Sequence, residues 1–288
     1  MNQLLHIDTV SHTATFQAGI YGPAIEEILN NRGFTLGHFP QSFEFSTLGG
    51  WLATRSAGQE SGLYGKIEDM VLGLKAATPS GIVEQFSFPR HAAGIDIFQL
   101  FIGSEGTLGI VTEITVNLVP RPKSPATLIA TFPSIALAAA ASTELLKYRP
   151  SMLEIIDQTT LNAVEQWHPL GFEVAGSILL MQLDENFELG DDAIAVCHEH
   201  SMIDGVFSTD PSDADDLVRV RKLAYPSLER LGATLLDDVA LPITKIAEFV
   251  TRVEELAKKY QLKIGIFGHA GDGNMHPTIV HDHGDIEG

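Results

Sequence analysis

A single cysteine, Cys197, is all the 288-residue chain carries, so no internal disulfide can form. A chain of this length buries enough core to do without one. Basic residues are also scarce: 18 Lys and Arg stand against 37 Asp and Glu, a formal charge of −19. That balance opposes nucleic acid or an anionic membrane as the main partner. Long apolar runs are missing too. The most apolar stretch, Ser134 to Ser142, falls far short of the roughly 20 residues a bilayer-spanning helix takes, so no transmembrane segment is expected. The N-terminus MNQLLHIDTV has neither the basic start nor the apolar run of a secretory signal. With the lone cysteine, this reads as a reducing, cytoplasmic setting. What is present, 44% hydrophobic and 19% charged residues, excludes a disordered, collagen-like or coiled-coil chain.

The length suits about two domains. LLHID and TATFQAG read as two short strands that feed a helix from Pro23 to Asn31, ended by Gly33. Strands follow at Met70 to Thr78 and Gly81 to Phe88, joined through Pro79-Ser80-Gly81, and a β-branched run spans Ile110 to Val119 and stops at Pro120. Pro120, Pro122 and Pro125 mark a linker, dividing the chain into residues 1–122 and 123–288. The second part interleaves strands at 126–132, AGSILLMQL and KIGIFGHA with helices at 135–148, 159–167, 213–223 and 244–260. Several connections are too short for parallel crossovers, so the fold class expected is α+β, with an antiparallel sheet flanked by helices.

Three segments hold residue types suited to chemistry. Pro40 to Gly58, PQSFEFSTLGGWLATRSAG, combines small residues that let backbone amides approach a ligand with Ser and Thr hydroxyls; the other reading is a Gly-rich turn before a helix. Ser104 to Ile110, SEGTLGI, sets Gly106 and Gly109 just before a strand, as a cofactor cradle or a bulge would. Phe267 to Pro277, FGHAGDGNMHP, puts His269 and His276 on either side of a Gly-Asp-Gly turn, and doubling back there would aim both rings at one point. Imidazoles suit Zn or another divalent ion, but two rarely suffice. The other reading is a turn flanked by hydrogen-bonded histidines. Cys197-His-Glu-His200 spreads its ligand-type residues around a helix and reads as an exposed polar stretch. The tail residues His281, Asp282, His283 and Asp285 read as a solvated end.

The first two segments, in this order and with YGKIEDMVLGLKAATPSG between them, resemble the FAD-binding domain of the vanillyl-alcohol-oxidase (PCMH-type) flavoproteins. Within that superfamily, PQSFEFSTLGGWLATRS is most similar to the alkyl-dihydroxyacetonephosphate synthase branch. The resemblance implies flavin contacts at Pro40, Gln41, Ser42, Ser46, Thr47, Gly49, Gly50, Ala53, Thr54, Arg55 and Ser56. It implies a second set at Glu105, Gly106, Thr107, Leu108, Gly109, Ile110 and Val111. HAGDGNMH is similar to the signature of the FAD-linked oxidase C-terminal domain found in glycolate oxidase, D-lactate dehydrogenases and D-2-hydroxyglutarate dehydrogenases, several of which hold a divalent metal there.

Taken together, the resemblances imply a partial PCMH-type FAD-binding domain over 1–122 and an α+β cap, or substrate, domain over 123–288. His269 and His276 are implied as metal ligands, for Zn or another divalent ion, or as the base. Arg221, ahead of Pro226, is implied as the fork for the substrate's acid group; the competing readings are a surface pair with Asp215 or Asp216, and Arg219 in its place. Asp237 and Asp238 resemble an acidic pair of structural use before the next helix. The reaction implied is oxidation of a small 2-hydroxy acid: a metal polarises the hydroxyl, a base takes its proton, and hydride passes to FAD. An electron-acceptor protein or a complementing subunit would be the partner. Neither the family's P-x-G-G-G-T loop nor its later E-H-G segment occurs here, so a member truncated at both ends is expected. Two other readings stand: a transferase of the alkyl-dihydroxyacetonephosphate synthase kind, and a non-catalytic subunit.

Overall fold

The computed structural model describes residues 1–86, 94–123, 125–169, 175–184 and 187–282. The chain divides into two compact units, Met1–Arg121 and Pro122–Gly288.

Unit 1 opens with the hairpin β1 (Leu4–Asp8) and β2 (Thr13–Gln17), whose turn is closed by the Asp8 carboxylate accepting the N–H groups of Val10 and Ser11 at 2.9 and 3.0 Å. Helix α1 (Gly22–Asn30) starts on Pro23, where a missing N–H costs nothing. There follow β3 (Phe34–Thr35), the short helices α2 (Leu48–Thr54), α3 (Ser61–Tyr64) and α4 (Ile67–Met70), the hairpin β4 (Val71–Thr78) and β5 (Gly81–Gln85), α5 (Phe98–Phe101), β6 (Ile110–Asn117) and β7 (Val119–Pro120). An antiparallel sheet runs in the order β1-β2-β6-β4-β5, and β3 pairs with β7. Alternation along the strands turns Ala14 and Phe16, Ile114 and Val116, and Leu74 and Ala76 into one core with Ile25 and Leu29 of α1 and Trp51 and Leu52 of α2. Phe88, the expected end of the second hairpin strand, lies outside the described residues.

Unit 2 comprises β8 (Ala126–Phe132), α6 (Ile135–Leu145), β9 (Met152–Ile156), α7 (Gln158–Trp167), β10 (Ser177–Leu183), α8 (Gly190–Glu199), β11 (Asp204–Ser208), α9 (Pro211–Glu229), β12 (Ala233–Leu236), β13 (Val239–Ala240), α10 (Ile246–Tyr260), β14 (Lys263–His269) and β15 (Asn274–His281). The sheet is antiparallel in the order β11-β8-β10-β9-β14-β15-β12, with β13 also on β15. One face, with Leu153, Ile155, Leu179, Met181 and Ile266, packs beneath α6, α8 and α10. The opposite face, with Met152, Ile156, Leu180 and Phe267, packs beneath α7 and α9. Being covered on both faces, the central strands read as unbroken apolar runs such as SILLMQL.

The sequence reading differs from this fold in the end of one helix and in the strands it left unread, β11, β12 and β13 among them. Helix α9 continues through Pro226 to Glu229 rather than ending near Leu223, because Ala224 and Leu228 on either side of the proline are wholly buried against the sheet. Strands β9 and β15 went unread. They are short or interrupted by Pro277, and propensity alone under-reports them. Among the described residues no helix is long and apolar enough to cross a membrane.

Candidate active site

In unit 1 the two Gly-rich segments meet. The Gly103 and Glu105 N–H groups donate to the Leu52 and Ala53 carbonyls at the end of α2, at 2.9 and 3.0 Å, and the Gly49 N–H donates to the Ala18 carbonyl at 2.7 Å. These bonds close a recess of about 310 Å³, lined among the expected residues by Thr47, Gly49, Gly50, Ala53, Gly106, Gly109, Ile110 and Val111. The remaining expected residues lie outside its lining: Pro40, Gln41, Ser42, Ser46, Thr54, Arg55, Ser56, Glu105, Thr107 and Leu108.

The hydroxyls expected to serve a ligand are mostly engaged nearby. Ser46 Oγ donates to the Ser42 carbonyl at 2.7 Å and accepts the buried Trp51 indole N–H at 2.6 Å. Ser56 Oγ lies 2.6 Å from Nε2 of His38. Thr54 and Thr107 donate to the Gly50 and Ser104 carbonyls at 3.0 and 2.6 Å. Arg55 is exposed and pairs with Glu68 at 3.2 Å. Thr47 caps α2 by accepting the Gly50 N–H at 3.2 Å, which leaves its own proton for a ligand.

The recess therefore offers backbone, small side chains and the exposed apolar Ile110. At Gly106, with φ of +78°, a Cβ would meet nothing within 4 Å, so the backbone itself faces open space. A flat, partly apolar group such as a flavin fits this lining. The volume sits at the low end of the roughly 300–1,000 Å³ usual for ligand pockets, so it suits one part of an FAD molecule.

Unit 2 assembles a different kind of site on the face of the sheet beneath α7 and α9. The β14–β15 hairpin sets Phe267 opposite His276 and His269 opposite Asn274, so the two imidazoles are diagonal neighbours on one face, 5.2 Å apart and perpendicular. Its turn is tied by Asp272, whose carboxylate accepts the Asn274 N–H at 3.1 Å, and it requires glycine at Gly273, where φ is +84° and a Cβ would lie 2.2 Å from the Leu241 carbonyl. Strand β9 brings Glu154 opposite His269.

Glu154 is wholly buried; its Oε2 accepts the Arg221 Nε–H at 2.6 Å and its Oε1 contacts His269 Nδ1. Burial disfavours this carboxylate, but the Arg221 guanidinium and His269 outweigh it and hold the group at about 2. Arg221, 4% exposed, lies over the Phe267 ring at 4.9 Å and sets its Nη2 3.5 Å from His269 Nε2. Burial, followed by the neighbouring His269 ring and Arg221 guanidinium, pulls His276 down to about 4; its Nδ1 lies 3.5 Å from the exposed Asp238 carboxylate.

Several expectations change. Arg219 is exposed and Arg221 buried, which separates the two competitors, and the side chains of Asp215 and Asp216 lie outside the described residues. Glu154 was missed, although a carboxylate inside the apolar run MLEII is a legible signal, since a charge buried on a core strand demands a partner. The metal expectation is not met by the residues described: no three His, Cys, Asp or Glu side chains converge among them. His269 has Nδ1 on Glu154, as a metal-bound imidazole would also have, and its Nε2 faces the Arg221 guanidinium at 3.5 Å. His283 and Asp285 lie outside the described residues. In Cys197-His-Glu-His200, Cys197 is buried, its thiol pushed up to about 12 by burial, and His200 meets Glu144 at 3.2 Å. A larger cavity of about 800 Å³ between α7, α10 and the start of β14 contains none of the expected site residues.

Residues 121–287 match the family described as FAD linked oxidases, C-terminal domain. The chain belongs to that family. Residues 1–87 of this FAD linked oxidase match the family described as FAD binding domain. It is 35% identical over 292 residues to the GlcD subunit of glycolate oxidase from Bacillus subtilis (strain 168), covering 98% of this chain and 62% of that one. It is 28% identical over 280 residues to D-lactate dehydrogenase of Archaeoglobus fulgidus, covering 94% of this chain and 62% of that one. Over 124 residues, 43% of this chain and 21% of the relative, it is 48% identical to alkyldihydroxyacetonephosphate synthase of Caenorhabditis elegans. A solved structure of an alkyldihydroxyacetonephosphate synthase, in P1, matches with a TM-score of 0.78 at 26% identity, over 97% of this chain and 60% of that one. The FAD linked oxidase described here thus spans about 62% of the length of GlcD and of D-lactate dehydrogenase, and its α+β fold, with antiparallel sheets, is like that of the alkyldihydroxyacetonephosphate synthase structure.

Proposed function

We propose that this FAD linked oxidase binds flavin and substrate for the oxidation of a small 2-hydroxy acid. The observation that carries the reading is the buried Glu154–Arg221–His269 chain with His276 beside it. Of the five N–H donors of Arg221, Glu154 takes the one on Nε, and the Nη donors suit a substrate carboxylate through charge-assisted bonds. The imidazole pair takes the proton of the C2 hydroxyl. His276, held at about 4, is unprotonated at neutral pH and ready to accept. Thr47, Gly49, Gly50, Ala53, Gly106, Gly109, Ile110 and Val111 are the residues that would hold the flavin. Bound, FAD supplies the acceptor for the C2 hydride. Passing the electrons on falls to an acceptor protein, and the one buried free thiol, Cys197, suits a reducing compartment.

A second reading, transfer chemistry on an acyl-dihydroxyacetone phosphate, is favoured by the 48% identity to the Caenorhabditis elegans protein. Anaerobic titration of the flavin-loaded protein separates the two. Bleaching of the flavin band by glycolate or D-lactate is expected. A flavin band that ignores every 2-hydroxy acid but responds to acyl-dihydroxyacetone phosphate overturns the oxidase reading, and colour that develops only after a second polypeptide is added marks a complemented subunit.

A further inference from the structure

We propose that Glu154 is a positioning residue that dictates which nitrogen of His269 carries the proton. The oxidase reading supplies the consequence of this for catalysis; the proton's place can be tested without turnover. An ionised carboxylate only accepts, so each group on Glu154 must donate. Arg221 Nε–H meets Oε2 at 2.6 Å and cannot give up its proton. His269 Nδ1, on Oε1, must therefore be the protonated nitrogen. Its Nε2 lies 3.5 Å from Arg221 Nη2, a second donor, so a proton there would oppose the guanidinium. The bonds run one way: Nη2–H to Nε2, Nδ1–H to Oε1, and Nε–H to Oε2. They leave an unprotonated Nε2 on the side where Arg221 offers its remaining donors. Strand register enforces this, since β9 and β14 pair Glu154 directly with His269.

Glu154→Gln then has one arrangement that keeps both short bonds, at the expense of the longer Arg221 Nη2–His269 Nε2 contact. The amide oxygen must turn to Arg221, the amide N–H must turn to His269, and His269 must bare Nδ1 and move its proton to Nε2. Long-range ¹H–¹⁵N correlation of the histidine rings in the labelled full chain reads this directly, with His269→Gln assigning the resonance. Wild type is expected to show Nδ1 protonated and Nε2 bare, Glu154→Gln the reverse, and Glu154→Asp the wild-type pattern. In the flavin-loaded protein, Glu154→Gln should lower kcat on a 2-hydroxy acid by about 10²-fold, the usual worth of a positioned base, with KM changed far less because Arg221 keeps its acceptor. A wild-type ring protonated on Nε2, or a Glu154→Gln ring unchanged from wild type, overturns the proposal. If Glu154→Gln does not fold, the wild-type spectrum and Glu154→Asp decide it. A wild type that has the expected tautomer yet oxidises no 2-hydroxy acid defeats the oxidase reading and leaves the tautomer assignment standing.

Discussion

The recess of unit 1 is walled largely by glycine and alanine, with Thr47, Ile110 and Val111, and the hydroxyls of Ser46, Thr54 and Thr107 are bonded to their own neighbourhood. The cluster of unit 2 is built from long polar side chains that reach one another from β9, α9, β14 and β15, two of them almost wholly buried. A wall of small residues tolerates substitution wherever space is open and fails only when the space is filled. A chain of buried charges behaves the other way, because removing one member strands the next in a medium that cannot solvate it.

Three experiments put this contrast at risk. The largest effect is expected from Arg221→Met, which leaves the Glu154 carboxylate buried without its cation. It should cost about 3–5 kcal/mol in urea denaturation, and adding Glu154→Gln should recover part of that. A loss below about 1 kcal/mol would mean that the pair is solvated and that unit 2 resembles unit 1 after all.

Acid should next reveal one sensitive histidine in each unit. Burial holds His38 of unit 1 and His276 of unit 2 at about 4, against 6.5 for the ordinary side chain. The unfolded chain takes up these protons first as pH falls, so the stability each group contributes is complete above about 6.5 and is lost on descending to about 4. His38→Gln and His276→Gln should each flatten the fall of Tm across that window, and curves parallel to wild type would refute the assignment.

The smallest effect in stability is expected from Gly50→Leu. Gly50 is an exposed helix residue whose Cβ would meet only Thr47 Oγ1, at 3.4 Å. Helix propensity favours the change by several tenths of a kcal/mol or more, so Tm should hold or rise. A side chain at the recess wall should weaken flavin binding about tenfold or more, roughly 1.4 kcal/mol, in a fluorescence titration. Unchanged affinity would remove the recess from the flavin site.

Much of the fold was legible from local pattern. Alternation and the Pro-Ser-Gly turn marked the β4–β5 hairpin, and apolar periodicity marked α10. The two recess segments were legible as motifs because each is contiguous and glycine needs show in the sequence itself. Glu154 showed only as a charge in an apolar run; its role was not legible, because it depends on partners 67 and 115 residues away. Nor was the engagement of Ser46, which is set by an indole placed only when α2 docks on the core.

The order of residues was enough to establish that the chain folds as α+β, that two glycine-rich segments would turn the backbone sharply, and that two histidines would flank one turn. Those follow from periodicity and from conformations that few residues can adopt. It took the packed chain to bury Arg221 rather than Arg219, to put a carboxylate behind His269, and to commit most hydroxyls near the recess to the fold. Desolvation and donor–acceptor matching exist only once distant strands lie side by side, so no local stretch of sequence can carry them.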